Sequence, residues 1–138
     1  MDSVRDKPTP ETTPPETPYE MMGGERTLKR VVNRFYDIMD KDPRAREVRA
    51  MHAGDLAPMK EKLFQFLSGW LGGPSLYFQR PDAKCMGSVH AGFAIGEMER
   101  DQWMLCMRRA LEDVGVPDEM RKLIDPALFR FADAVRTR

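Results

Sequence analysis

Gly87-Ser-Val-His-Ala-Gly-Phe-Ala-Ile-Gly96 runs directly into Glu97-Met-Glu-Arg-Asp-Gln-Trp103, and the reading of the chain turns on this stretch. It holds His90, one of only 2 histidines. Gly92 and Gly96 bracket Phe93-Ala-Ile95, an apolar loop. Glu97 and Glu99 stand where the positive end of a helix dipole favours acids. Trp103, Cys106, Met107, Ala110, Leu111 and Val114 then recur at helical spacing, and Gly115 ends the run. A histidine thus lies on one side of a glycine-bounded loop, and a tryptophan on the core stripe of a new helix lies on the other.

Working upstream, Leu28, Val31, Val32, Phe35, Tyr36 and Met39 share one face of a helix predicted from about Thr27 to Asp40, with Thr27 as its N-cap. Asp42-Pro43 opens a short helix from Arg44 to Met51 that ends near His52. Asp55 caps a longer one, in which Leu56, Met59, Leu63, Phe66, Leu67, Trp70 and Leu71 form a broad apolar face and Gly72-Gly73-Pro74 is the stop. Ser75 to Arg80 reads as a short helix or a turn, and Ala83 to His90 as a short helix weakened by Gly87. Downstream, Pro117-Asp118-Glu119 opens the last helix, which Pro126 is expected to kink or break near Ile124–Asp125. No strand pattern and no internal repeat is present, so the class is all-α.

The 138 residues suit one domain plus a tail. Residues 1–18 carry Pro8, Pro10, Pro14, Pro15 and Pro18 among Thr, Glu and Asp, with no apolar period. Such a segment buries too little surface to offset its ordering entropy and reads as disordered or extended, leaving residues 19–138 as the folded domain. A formal net charge of zero gives no whole-chain signal for nucleic acid or an anionic membrane. No apolar run is long enough to span a bilayer, and the charged, proline-rich N-terminus lacks a secretory signal's apolar segment, so a cytoplasmic protein is expected. Of the 2 cysteines, Cys106 reads as a buried small hydrophobe and Cys85 as a loop thiol, without disulfide-framework spacing.

Phosphate-loop, Cys-x-x-Cys and His-Glu-x-x-His patterns are missing. Haem chemistry asks for less, because a single neutral imidazole suffices as an axial ligand. His90, among Val89, Ala91, Gly92 and Phe93, suits that task, although an ordinary histidine beside an apolar loop looks the same. Tyr36 and Trp103 each combine an apolar body with one donor on a predicted buried stripe; they are either core aromatics bonded to carbonyls or donors to a bound ligand. His52 alone reads as a surface or capping residue. Lys62 either stays solvated or reaches over the apolar face to a carboxylate.

Several colinear stretches carry a resemblance: Tyr19-Glu-Met-Met-Gly-Gly24, Arg34-Phe-Tyr-Asp-Ile-Met39, Glu61-Lys-Leu-Phe-Gln-Phe-Leu-Ser-Gly-Trp-Leu-Gly-Gly-Pro74, His90 with Phe93 and Ile95-Gly96, and Glu99-Arg-Asp-Gln-Trp-Met-Leu-Cys-Met107. In their order and spacing the chain resembles the group II truncated haemoglobins. That resemblance implies a shortened globin, a two-over-two helical sandwich around haem b (iron protoporphyrin IX). It implies His90 as the proximal iron ligand, with Tyr36, Trp103 and His52 as donors on the distal side. Met59, Leu63, Phe64, Phe66, Trp70, Phe93 and Met98 become candidates for the haem wall, and Lys62 and Tyr77 for holding the propionates. One departure stands out. Many relatives place a basic run ending in arginine before the proximal histidine, and here the run is Lys84-Cys-Met-Gly-Ser-Val-His90.

The expected function is binding of dioxygen and other diatomic ligands (nitric oxide, carbon monoxide) or peroxide at a pentacoordinate-capable iron. Three distal donors would slow release, which argues for oxygen, nitric oxide or peroxide redox chemistry over transport. A nitric oxide dioxygenase or peroxidase-like activity would need a reductase that the sequence does not name. A homodimer is compatible with the resemblance. The alternatives are a haem-based sensor acting through the N-terminal tail and a haem-free helical binding domain.

Overall fold

The computed structural model describes residues 17–138. The disorder expected for residues 1–16 lies outside the described residues. Among the described residues seven α-helices follow one another: α1 (Pro18–Met22), α2 (Gly24–Lys41), α3 (Arg46–Ala50), α4 (Ala57–Trp70), α5 (Met86–His90), α6 (Glu97–Val114) and α7 (Asp118–Ala134). Single 3-10 turns occupy Pro43–Ala45 and Tyr77–Gln79, and no strand occurs among the described residues. None of these helices is long and apolar enough to cross a membrane.

Helix α2 is the centre of the fold. Its stripe of Leu28, Val31, Val32, Phe35, Tyr36, Ile38 and Met39 is buried. It packs on α6 and on α4, and α6 packs in turn on α7. Phe35 is fully enclosed, and burying a side chain of that kind contributes about 1.5–3 kcal/mol. From α6, Met104, Cys106, Met107, Ala110 and Leu111 complete this core. From α7 come Met120, Ile124, Leu128 and Ala132. Burial pushes the Cys106 thiol up to about 11, as expected of an inert core residue, whereas Cys85 is exposed.

Three local expectations need correction. First, Pro18 is not tail: it is the first residue of α1, and the Thr17 hydroxyl caps that helix by accepting from the Glu20 N–H at 3.1 Å. Second, α2 starts at Gly24 and not at Thr27. Gly23 and Gly24 both take positive φ, at 118° and 72°, so the chain turns from α1 into α2 without a loop and Thr27 falls inside the first turn. Third, α7 runs unbroken through Pro126. Pro126 and Lys122 lie on the exposed side, so the Lys122 carbonyl that loses its helical partner is open to water.

The predicted stop after α4 holds, and it does more than stop. The Tyr19 N–H donates to the Leu71 carbonyl at 2.9 Å, and a Cβ at Gly73 would come within 2.5 Å of the Tyr19 ring. Only glycine there lets α1 lie against the end of α4.

Candidate functional site

Both histidines end short helical segments and are held in the same way. His90 is the last residue of α5, and its Nδ1 lies 2.6 Å from the Met86 carbonyl oxygen. His52 lies two residues beyond α3, with Nδ1 2.8 Å from the Val48 carbonyl. A carbonyl can only accept, so in each ring Nδ1 carries the proton and Nε2 keeps a free lone pair. The two rings lie close enough that charge on His90 disfavours charge on His52. Burial is the larger cause, and together they hold the His52 imidazole below its ordinary value, in the neutral form. In that form His52 is an acceptor toward the cleft, not the donor that the resemblance implies; it donates from Nε2 only when protonated.

Tyr36 lies against it, and Phe35 joins Tyr36 to Trp103. The Tyr36 ring makes edge contacts with His52 at 5.8 Å between centroids and with Phe35 at 4.8 Å. Phe35 in turn touches Trp103 at 5.3 Å. Tyr36 is buried, and desolvation raises its phenol well above the ordinary range, so it remains a donor at any working pH. Among the described residues neither the Tyr36 hydroxyl nor the Trp103 indole N–H has a hydrogen-bond partner. Nor is any unpaired side-chain polar atom of the described residues sealed from solvent. Both donors therefore open onto accessible space.

The aromatic contacts continue from Trp103 to Phe131 at 6.3 Å, from Phe131 to Phe66 at 5.2 Å, and from Phe66 to Tyr77 at 5.8 Å. Met59, Leu63, Phe66, Trp70 and Trp103 are only partly buried and line the edge of the core. A cavity of about 180 Å³ lies between Phe66, Trp70, Tyr77 and Phe78. Phe93 and Met98 stand 43% and 53% exposed around the loop that follows His90. Phe64 departs from the wall: it is buried in the core, with Lys29 Nζ 5.2 Å above its ring, two residues and about 200° of helix from Phe66.

The two propionate candidates differ. Lys62 is half-buried and makes no ion pair among the described residues; the nearby Asp82 carboxyl is lowered chiefly by its hydrogen bond from Arg80, and the Lys62 charge adds only a little. Tyr77 is already engaged. Its hydroxyl donates to the Lys84 carbonyl at 3.0 Å and accepts from the Lys84 N–H at 3.3 Å, so its one proton is spent inside the protein.

A profile of the bacterial-like globins matches residues 17–137. The chain is 32% identical over 107 residues to the group 2 truncated hemoglobin YjbI of Bacillus subtilis, covering 78% of each. This chain belongs to the group II truncated haemoglobins. Its fold agrees: it matches the group II 2-on-2 hemoglobin of Agrobacterium tumefaciens with a TM-score of 0.84 and 34% identity, over 91% of this chain and 97% of that one. It also matches a truncated oxygen-avid haemoglobin from Bacillus subtilis with a TM-score of 0.78 and 30% identity, over 88% and 99%. The two-over-two sandwich is thus the architecture, and the family implies a haem and binding of diatomic ligands such as dioxygen.

Within this truncated haemoglobin, sequence reasoning passed over two residues that hold the His52 segment. Gln102 accepts from the Val48 N–H at 2.9 Å. Arg49 donates to the Ala53 and Gly54 carbonyls at 3.0 and 3.2 Å and pairs with Asp40 at 2.9 Å. Nothing in the spacing of either residue announces these contacts, because their partners come from the tertiary fold.

Proposed function

We propose that the globin holds haem b through His90 and binds dioxygen with Tyr36 and Trp103 as donors, in a cleft suited to redox turnover. The observation that carries this reading is the pairing of one imidazole with a free Nε2 and two aromatic donors that have no protein partner among the described residues. The residues fit the group. His90 offers a lone pair whose direction is fixed by Met86; Met59, Leu63, Phe66 and Trp70 offer an apolar wall; Lys62 offers an uncommitted cation for a propionate. A bound haem supplies a reversible site for diatomic gases and a one-electron couple.

The chain's own residues do the rest. The carbonyl of Met86 holds the Nδ1–H of His90 and fixes the plane of the ring. The phenol of Tyr36 and the indole of Trp103 donate to a gas ligand that gains negative charge, and their burial strengthens those bonds. Neutral His52 presents Nε2 beside them and can take a proton from an acidic ligand such as hydrogen peroxide. Donors plus an acceptor favour turnover of peroxide, or of dioxygen with nitric oxide, over release. Electrons for such turnover come from a reductase. Carbon monoxide binds as a probe ligand.

Purified protein should show a Soret band with one haem per chain, and His90→Ala should lose it or shift it to the spectrum of a weakly held haem. The same stoichiometry and spectrum in His90→Ala would remove His90 as the ligand.

A further inference from the structure

Gln102 lies on α6 immediately before Trp103, and both ends of its carboxamide reach across to α3. Oε1 accepts from the Val48 N–H at 2.9 Å, and Nε2 donates to Glu47 Oε1 at 2.7 Å. The first-turn N–H groups of any helix have no helical partner, and the N-cap of α3 is Ala45, which has no side-chain acceptor. Gln102 therefore caps α3 from another helix. The Glu47 carboxylate is steadied in turn by Arg46, whose Nε donates at 2.9 Å. Val48 is then used a second time, since its carbonyl receives the Nδ1–H of His52. One residue of α3 both accepts the grip of α6 and aligns the imidazole.

We infer that Gln102 is a positioning residue for His52. By fixing α3 against α6 next to Trp103, it keeps His52 in the Nδ1–H tautomer with Nε2 free beside Tyr36. The inference rests on the reading of this cleft as the ligand side of a haem, and it adds a link between two of the cleft's polar groups that runs through the backbone of Val48. Glu47 belongs to the same device, because its carboxylate holds the amide end that would otherwise be free to rotate.

The test uses the full haem-loaded chain as its ferrous carbon monoxide complex, which is diamagnetic, and reads the His52 ring by nitrogen–proton correlation spectroscopy. Wild type should show one Nδ1–H tautomer. Gln102→Leu should average the two tautomers and, because the Nε2–H form adds a donor beside the ligand, lower the dioxygen dissociation rate roughly 3- to 10-fold, an effect that disappears in a His52→Phe background. The exchanged pair, Gln102→Glu with Glu47→Gln, retains an acceptor for Val48 and a bond between the two side chains, so it should restore the wild-type pattern. Should Gln102→Leu not fold, Gln102→Glu alone sets two carboxylates face to face and should give the same averaging. A wild-type ring pattern in Gln102→Leu or in Gln102→Glu alone, or a rate change of the same size in the His52→Phe background, would overturn the inference. Unchanged rates in both Tyr36→Phe and Trp103→Phe would overturn the reading of the cleft instead, while the ring pattern still decides the positioning.

Discussion

The wall that carries Tyr36 and Trp103 and the wall that carries His90 are built by different means. The first consists of two 18-residue helices, α2 and α6, whose facing side chains form the core. The second is the five-residue α5, which has no buried residue. A helix that short does not hold together through its own backbone bonds. Its geometry comes from a few hydrogen bonds: Cys85 Sγ accepts from the Ser88 N–H at 3.4 Å, and the Met86 carbonyl accepts from His90. The Tyr36–Trp103 wall is therefore shaped as part of folding. The His90 wall has far less core behind it, and the exposed Phe93 and Met98 are apolar surface that the proposed haem would cover.

The largest effect should come from the preorganised wall. Tyr36→Phe and Trp103→Phe keep the packing and delete one donor each. Each should raise the dioxygen dissociation rate roughly 5- to 150-fold, the equivalent of a lost hydrogen bond of about 1–3 kcal/mol. Stopped-flow ligand replacement measures this directly. Equal rates in wild type and both variants would mean that neither donor faces the ligand, and the contrast between the walls would lose its functional meaning.

A smaller effect should appear on the other side. Thr137 ties down the loop after His90: its hydroxyl donates to the Phe93 carbonyl at 2.5 Å and accepts from the Ile95 N–H at 2.8 Å, while its own N–H donates to the Ile95 carbonyl at 2.8 Å. Thr137→Val preserves the shape and removes the hydroxyl. The expected loss is about 0.5–1.5 kcal/mol in urea unfolding, accompanied by faster transfer of haem to an acceptor protein. A fall in stability with unchanged haem transfer would show that loop order does not limit the proximal side.

What the sequence disclosed follows the same division. The α2 and α6 stripes are legible because helical packing imposes a 3.6-residue period, and Tyr36 and Trp103 lie on those stripes. His52 and His90 were visible as the only histidines, but their tautomers were not, since these depend on the carbonyls four residues earlier having a lone pair within reach of Nδ1. Tyr77 shows the same limit: whether its hydroxyl is free is decided by Lys84, which the fold brings back to it. The grip of Gln102 on Val48 and that of Thr137 on the proximal loop join residues far apart in sequence. No local pattern encodes them.

The smallest expected effect concerns acid. His52 gains its lowered value from burial first, with the charges of Arg49 and His90 adding to it and the Val48 carbonyl opposing. A base whose folded value is depressed binds its proton more readily in the unfolded chain. Stability therefore stays level above the ordinary value of 6.5 and falls as the pH drops from there toward the folded value. His52→Phe removes this component, so urea midpoints of wild type and variant, compared across that window, should converge or cross as the pH falls, with the wild type losing more. Parallel curves would place the acid sensitivity elsewhere. The same titration bears on the chemistry, because protonation turns Nε2 from an acceptor into a donor. If His52 acts as proton acceptor for peroxide, turnover should fall over the same pH range in which the wild type loses its extra stability, and it should do so while the neighbouring Tyr36 and Trp103 donors remain unchanged.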